Sequence, residues 1–196
     1  MSDYTQPPTL ASDRKKYISE FGVKEYINTD SSTYQDINRL LRHGKAPLFL
    51  SSKSPDLHIK TILIKILMAT SYVNQNRLEN PKTLYRRMTV KNLDDLVNAY
   101  QPGSIISEPA FTSTGKQDEW NGNILYVIHA DSESGSDLSH LNQECGGEIL
   151  FRPGTRFKVL KMEPNSEASS TGRPSELTIF LTTFEKGDNH GSDTEV

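Results

Sequence analysis

Thiol chemistry is nearly absent from this sequence. The only cysteine, Cys145, cannot form an internal disulfide, and none of the five histidines stands at zinc-ligand spacing to it. No metal is expected, and the fold must rest on its packing. A bilayer-spanning run is also missing: the longest apolar stretch, Ile59 to Val73, is broken by Lys60, Lys65 and several hydroxyls, short of the roughly 20 residues a span needs. Membrane insertion by this domain is therefore not expected. The amino terminus, Met1-Ser2-Asp3-Tyr4-Thr5-Gln6-Pro7-Pro8, has neither the basic flank nor the apolar core of a secretory signal. No single sign of charge dominates either. Lys plus Arg (22) nearly balances Asp plus Glu (25), for a net charge of −3, so nucleic acid is not an expected partner. The glycines carry neither the phosphate-loop lysine nor the dinucleotide fingerprint, which excludes a doubly wound nucleotide fold, and no repeat or heptad is present.

What remains is one domain's worth of chain, 196 residues, with helical texture first and short strands after it. Residues 1–12 are polar and proline-containing, the pattern of a disordered terminus. Ser12-Asp13 then caps a helix whose buried stripe should be Tyr17, Ile18, Phe21 and Tyr26-Ile27. A second helix carries Tyr34, Ile37, Leu40 and Leu41 and stops at Gly44. The third repeats Ile59, Ile62, Leu63, Ile66, Leu67, Thr70 and Val73 at three and four residues, the mark of a helix laid against a sheet. From Lys82 onward, strands are expected at Thr83 to Met88, Ser104 to Ile106, Ala110 to Thr114, Ile124 to Ala130, Glu148 to Phe151, Arg156 to Met162 and Leu177 to Glu185. A short helix, Val90 to Ala99, interrupts them. This order reads as α+β, with one domain over 13–186 and a disordered acidic tail at 187–196.

The chain is organised around Gly146 to Leu160, two short strands bent about Pro153-Gly154. Glu148 opens the first strand behind two permissive glycines, a place where a carboxylate can be held while the preceding loop moves. Two upstream segments complete the pattern: Thr83-Leu84-Tyr85-Arg86-Arg87-Met88 places a cation on a strand, and Ala110-Phe111-Thr112-Ser113-Thr114-Gly115 is rich in hydroxyls.

Taken in order, Tyr85-Arg86, Phe111-Thr112-Ser113-Thr114 and Glu148-Ile149-Leu150-Phe151 followed by Pro153-Gly154-Thr155 resemble the arginine-serine-glutamate clan of mono-ADP-ribosyltransferases, which includes many bacterial toxins. The resemblance extends back to Val23-Lys24-Glu25-Tyr26-Ile27 and Ile37-Asn38-Arg39-Leu40-Leu41-Arg42 and covers about residues 14 to 185. It implies N-terminal helices packed on two short, mainly antiparallel β-sheets, with NAD as substrate and no metal. It further implies that Glu148 stabilises the sugar as it becomes cationic, Arg86 holds the diphosphate, and Ser113 orients the glutamate, with Arg87, Thr114 and Trp120 also on the cofactor. Arg87 departs from the pattern, which often has glycine there, so its backbone rather than its side chain would face NAD. Gly115 replaces the last serine of the Ser-Thr-Ser element.

The departure with most bearing on function is Gly146, two residues before Glu148. Arginine-modifying relatives carry glutamate at that position and asparagine- or glutamine-modifying relatives tend to carry glutamine. Glu144 is the nearest other carboxylate on this loop. The resemblance therefore implies a toxin acting on a protein side chain other than arginine, with a threonine of actin as the specific case, as in the effector domain of insecticidal toxin complexes. The loop Asp131 to Gly147 and the early helices would form the partner surface. An NAD glycohydrolase and a non-catalytic module of the same fold are the alternatives. Delivery would be by a non-classical route, secreted or injected, with action in the host cytoplasm.

Overall fold

A computed structural model describes residues 10–27, 33–44, 55–132, 134–141, 147–164 and 175–184. Glu144, Cys145, Gly146 and the 187–196 tail lie outside the described residues, as do residues 1–9 and parts of the 131–147 and 163–175 loops. The chain divides into two compact units, residues 1–76 and 77–196.

The first unit is helical: α1 Leu10–Ile27, α2 Thr33–His43 and α3 Pro55–Gln75. Its core is Val23, Tyr26, Ile27, Ile37, Ile62, Ile66, Ala69, Tyr72 and Val73. Two expected stripes are shifted. On α1, Ile18 and Phe21 are about half exposed, while Ser19 and Gly22 are buried. The small residues go inside because α1 and α3 approach closely there; a Cβ on Gly22 would lie 2.3 Å from the Met68 Cβ and 2.9 Å from the Ala69 nitrogen. On α3 the buried line is Ile62, Ile66, Ala69 and Val73, which leaves Leu63 and Leu67 on the flank. Polar ties within this unit include Asn38 donating to the Tyr26 hydroxyl at 3.0 Å and the Lys65–Glu25 ion pair at 2.8 Å.

Among the described residues the second unit is an eight-stranded mixed sheet with one helix. Its strands are β1 Lys82–Met88, β2 Ile105–Glu108, β3 Thr112–Gly115, β4 Ile124–Ala130, β5 Ser136–Asp137, β6 Glu148–Phe151, β7 Thr155–Pro164 and β8 Leu177–Thr183; the helix is α4 Leu93–Ala99. Asn92 caps α4 by accepting from the Asp94 amide at 3.2 Å, which sets its start three residues later than the sequence suggests. The strand order is β2-β7-β8-β4-β1-β3-β6-β5, and β4–β8 is the parallel pair. One sheet therefore stands where two were expected. The reason is a single seam: β1 runs seven residues beside β4 but meets β3 only at Tyr85↔Gly115, so two arms share one register pair.

Glu148–Phe151 and Thr155–Pro164 are consecutive in the chain yet lie in different arms, because Pro153-Gly154 turns a corner rather than closing a hairpin. Gly154 has a φ of 82° and its amide donates to the Glu108 carbonyl at 2.7 Å, anchoring that corner to β2. The core behind the sheet joins Leu84, Ile124, Ile128, Ile149, Phe151, Phe157, Val159 and Ile179, with Phe151 and Phe157 edge to face at 5.3 Å across the corner. This packing, supplied by both arms, holds the seam in place. No helix among the described residues is long and apolar enough to cross a membrane.

Candidate active site

At the seam three side chains converge. Gly115 pairs with Glu148 on one side and Tyr85 on the other, so the first residue of β6 and the middle of β1 are brought to the same point of β3. Past that point β1 and β3 separate. Arg86, the next residue of β1, spans the gap and donates from Nη1 to the Ser113 carbonyl at 2.9 Å. The Ser113 hydroxyl hydrogen-bonds to the Glu148 carboxylate. Burial pushes the Glu148 pKa above its ordinary value, against the Ser113 hydrogen bond and the Arg86 charge, which both favour the anion. A partly desolvated carboxylate beside a hydroxyl and a guanidinium is suited to pairing with a cation that forms nearby.

The other expected site residues fall in different surroundings. Thr114 is buried on the opposite side of β3, its hydroxyl donating to the Ile149 carbonyl at 2.9 Å, so it contributes to strand pairing. Gly115 cannot be exchanged freely for serine: a Cβ there would lie 2.8 Å from the Gln117 carbonyl, because the chain turns back at once. Arg87 turns its side chain away from the seam into a buried ion pair with Asp118, at 2.7 Å from Nη2 to Oδ2. Trp120 is 38% exposed on the same loop.

Sequence reasoning missed two further groups. Behind Arg86 lies a small pocket, lined by Met88, Tyr100, Glu108, Thr112 and Tyr126 among others. Tyr126 donates to Tyr100 and Tyr100 to Glu108; burial raises both phenol pKa values, and the Glu108 charge adds to it. The Thr112 hydroxyl, also buried there, has no hydrogen-bond partner among the described residues. These residues come from the end of β1, the residue that closes α4, and strands β2, β3 and β4, and no spacing in the sequence ties them together.

The second group guards the entry to β6. Lys116 crosses over Gly147, which has a φ of 96°, and pairs with Asp137 at 2.8 Å and Ser139 at 2.9 Å. Burial acts to raise the Asp137 carboxyl, but hydrogen bonds from Lys116, Ser139 and Lys82 outweigh it and hold the pKa well below the usual carboxylate range. The signal was weak because β5 is two residues long and has the composition of a turn. Among the described residues no cluster of His, Cys, Asp and Glu is arranged to hold a metal ion.

The fold is that of the mono-ADP-ribosyltransferase toxins. The chain is similar to the Salmonella SpvB ATR domain, with a TM-score of 0.67 at 19% identity, covering 85% of this chain and 98% of that one. It is also similar to the ADP-ribosylating toxin BECa of C. perfringens, solved with NADH, with a TM-score of 0.64 at 18% identity over 88% of this chain and 45% of the toxin. In sequence it is 29% identical over 143 residues to the NAD(+)--protein-arginine ADP-ribosyltransferase Tre1 of Pseudomonas putida (strain GB-1), covering 72% of this chain. The chain spans about a quarter (26%) of that relative's length. No protein-family model matches it.

Proposed function

We propose that this domain is an NAD-dependent mono-ADP-ribosyltransferase that modifies a protein side chain. The observation that carries the reading is the meeting of Arg86, Ser113 and Glu148 at the seam, in a fold shared with transferase toxins. NAD is the donor substrate, its diphosphate on the planar donors of Arg86. The bond between the nicotinamide nitrogen and ribose C1′ breaks, and nicotinamide leaves with the electron pair. Glu148, held by Ser113, accepts a hydrogen bond from the ribose 2′-hydroxyl that strengthens as the ring becomes cationic. The acceptor atom then bonds to C1′ and gives up its proton. Thr114 and Arg87 contribute backbone to the cofactor cleft, and Trp120 a ring face.

For the acceptor we assign a side chain other than arginine, with an actin threonine as the specific case, because Gly146 offers no second carboxylate to orient a guanidinium. The likeness to Tre1, a protein-arginine ADP-ribosyltransferase, favours a second reading, arginine. Delivery by secretion or injection into a host cell agrees with the toxins that share the fold. The experiment is incubation with labelled NAD and a host lysate, with the modified side chain identified by mass spectrometry. Label on a protein is the expected result, and equal labelling by Glu148→Ala would overturn the assignment of Glu148. Release of nicotinamide with no protein-bound ADP-ribose would replace transfer by hydrolysis.

A further inference from the structure

The resemblance gives the Arg87 side chain no part in the reaction, yet its contacts are closely built. Nε donates to Asp118 Oδ1 at 2.8 Å, Nη2 to Oδ2 at 2.7 Å and Nη1 to the Gly122 carbonyl at 3.0 Å. The two charged side chains are only 2% and 1% exposed. A buried ion pair is not by itself a stabilising device, since a packed apolar pair can do as well, so its worth lies in geometry. Here the geometry is specific. Asp118 and Gly122 stand two residues before and two residues after Trp120, so one guanidinium closes a five-residue turn around the indole and fastens both ends to β1.

The feet of this loop flank the reaction residues. It leaves β3 at Gly115, the cross-strand partner of Glu148, and it returns to β1 at the residue next to Arg86. The returning arm lies flat on the strand: a Cβ on Gly122 would meet the Met88 carbonyl oxygen at 2.6 Å. Asn123 locks it further, donating to the Val90 carbonyl at 3.1 Å and accepting from the Val90 amide at 2.9 Å. Trp120, at the apex, keeps a partly exposed face.

We propose that Arg87 is a positioning residue for NAD: by closing the Asp118 to Gly122 turn onto β1 it fixes Trp120 as one wall of the cofactor cleft, in register with Arg86. This rests on the transferase reading above. The fork is what does it, because a lysine would bring the charge without the two parallel bonds and the third to Gly122.

Trp120 is the only tryptophan in the chain, so intrinsic fluorescence reports on this turn without any need for activity. Arg87→Lys should raise acrylamide quenching of Trp120 and lower its anisotropy. The same variant should raise KM for NAD by about 10-fold to 100-fold, the range for a displaced substrate-positioning element, while kcat moves much less. Trp120→Ala, which leaves the ion pair intact, should raise KM similarly, and the double variant should be no worse than either single one. Unchanged quenching in Arg87→Lys would overturn the clamp. Raised quenching with an unchanged KM, or fully additive effects in the double variant, would overturn the wall. If the wild-type domain turns over no NAD, the transferase reading fails instead; quenching still decides the clamp, and titration of Trp120 emission with NAD decides the wall.

Discussion

Replacing Glu148 with glutamine keeps the side chain's shape and removes its charge, and the two consequences have opposite signs. Burial, the dominant influence on Glu148, marks a site where water screens poorly. An anion about 4 Å from a unit positive charge, at an effective dielectric near 20, contributes about 4 kcal/mol. The charge on the ribose is partial and spread over the ring, so roughly 2.7–4 kcal/mol should be lost, or two to three decades of turnover. Stability should move the other way. The folded carboxyl binds its proton more tightly than the unfolded one. Its contribution is therefore complete below the ordinary value of 4.5 and is lost as pH rises through the raised folded pKa. At pH 7 the charge is a cost, worth about 1.4 kcal/mol for each unit by which the pKa is raised, and Glu148→Gln relieves it. Nicotinamide release from NAD, followed by chromatography, reads the first effect; thermal melts at pH 7 and pH 4 read the second. Turnover within about a factor of three of wild type, less than 1 kcal/mol of barrier, would refute the electrostatic role. A variant less stable than wild type at pH 7 would refute the cost assigned to the buried charge.

Three further outcomes follow from the same contacts. Ser113→Ala removes a hydrogen bond that favours the Glu148 anion, so the acid limb of the pH–rate profile should move to higher pH; a limb that stays put or moves down contradicts the geometry. Thr112→Val deletes a buried hydroxyl that has no partner, and should raise stability by about 1 kcal/mol in chemical denaturation, whereas a loss would mean that hydroxyl is satisfied in solution. Gly115→Ser completes the Ser-Thr-Ser pattern of the resemblance but drives a Cβ to 2.8 Å from the Gln117 carbonyl, so it should cost roughly 1–3 kcal/mol of stability and lower activity, and a neutral result would show that the turn can shift.

Much of this was legible in the residues. β4 and β6 begin and end where the sequence places them, because Ile124 to Ala130 and Glu148 to Phe151 are short apolar runs bounded by strong turn residues. The helices α1 and α3 were legible as helices but not in their facing. Ser19 and Gly22 decide the α1 face through the closeness of α3, a tertiary effect that outweighs the larger apolar residues Ile18 and Phe21. β5 was invisible, being two polar residues whose pairing comes from distant partners, β6 on one side and Arg77 on the other. In the candidate site, motif order brought Arg86, Ser113 and Glu148 forward. The Asp118 partner of Arg87 and the Tyr126–Tyr100–Glu108 chain could not be read, since each joins residues that only the folded sheet makes neighbours.

The seam explains why these motifs lie where they do. A continuous sheet would satisfy its strand edges with backbone partners and leave no room for a ligand. With β1 and β3 joined at one register pair, the strands part beyond Tyr85 and Gly115, and the edge of β3 needs another donor. Arg86 supplies it, donating to the Ser113 carbonyl. The same guanidinium that would take NAD's phosphates thus closes the gap between the arms, and the residue it anchors carries the hydroxyl that holds Glu148. Arg86 therefore couples the opening of the sheet to the alignment of the carboxylate. A change at Arg86 should disturb Glu148 even before any nucleotide binds, through Ser113 as well as through lost charge.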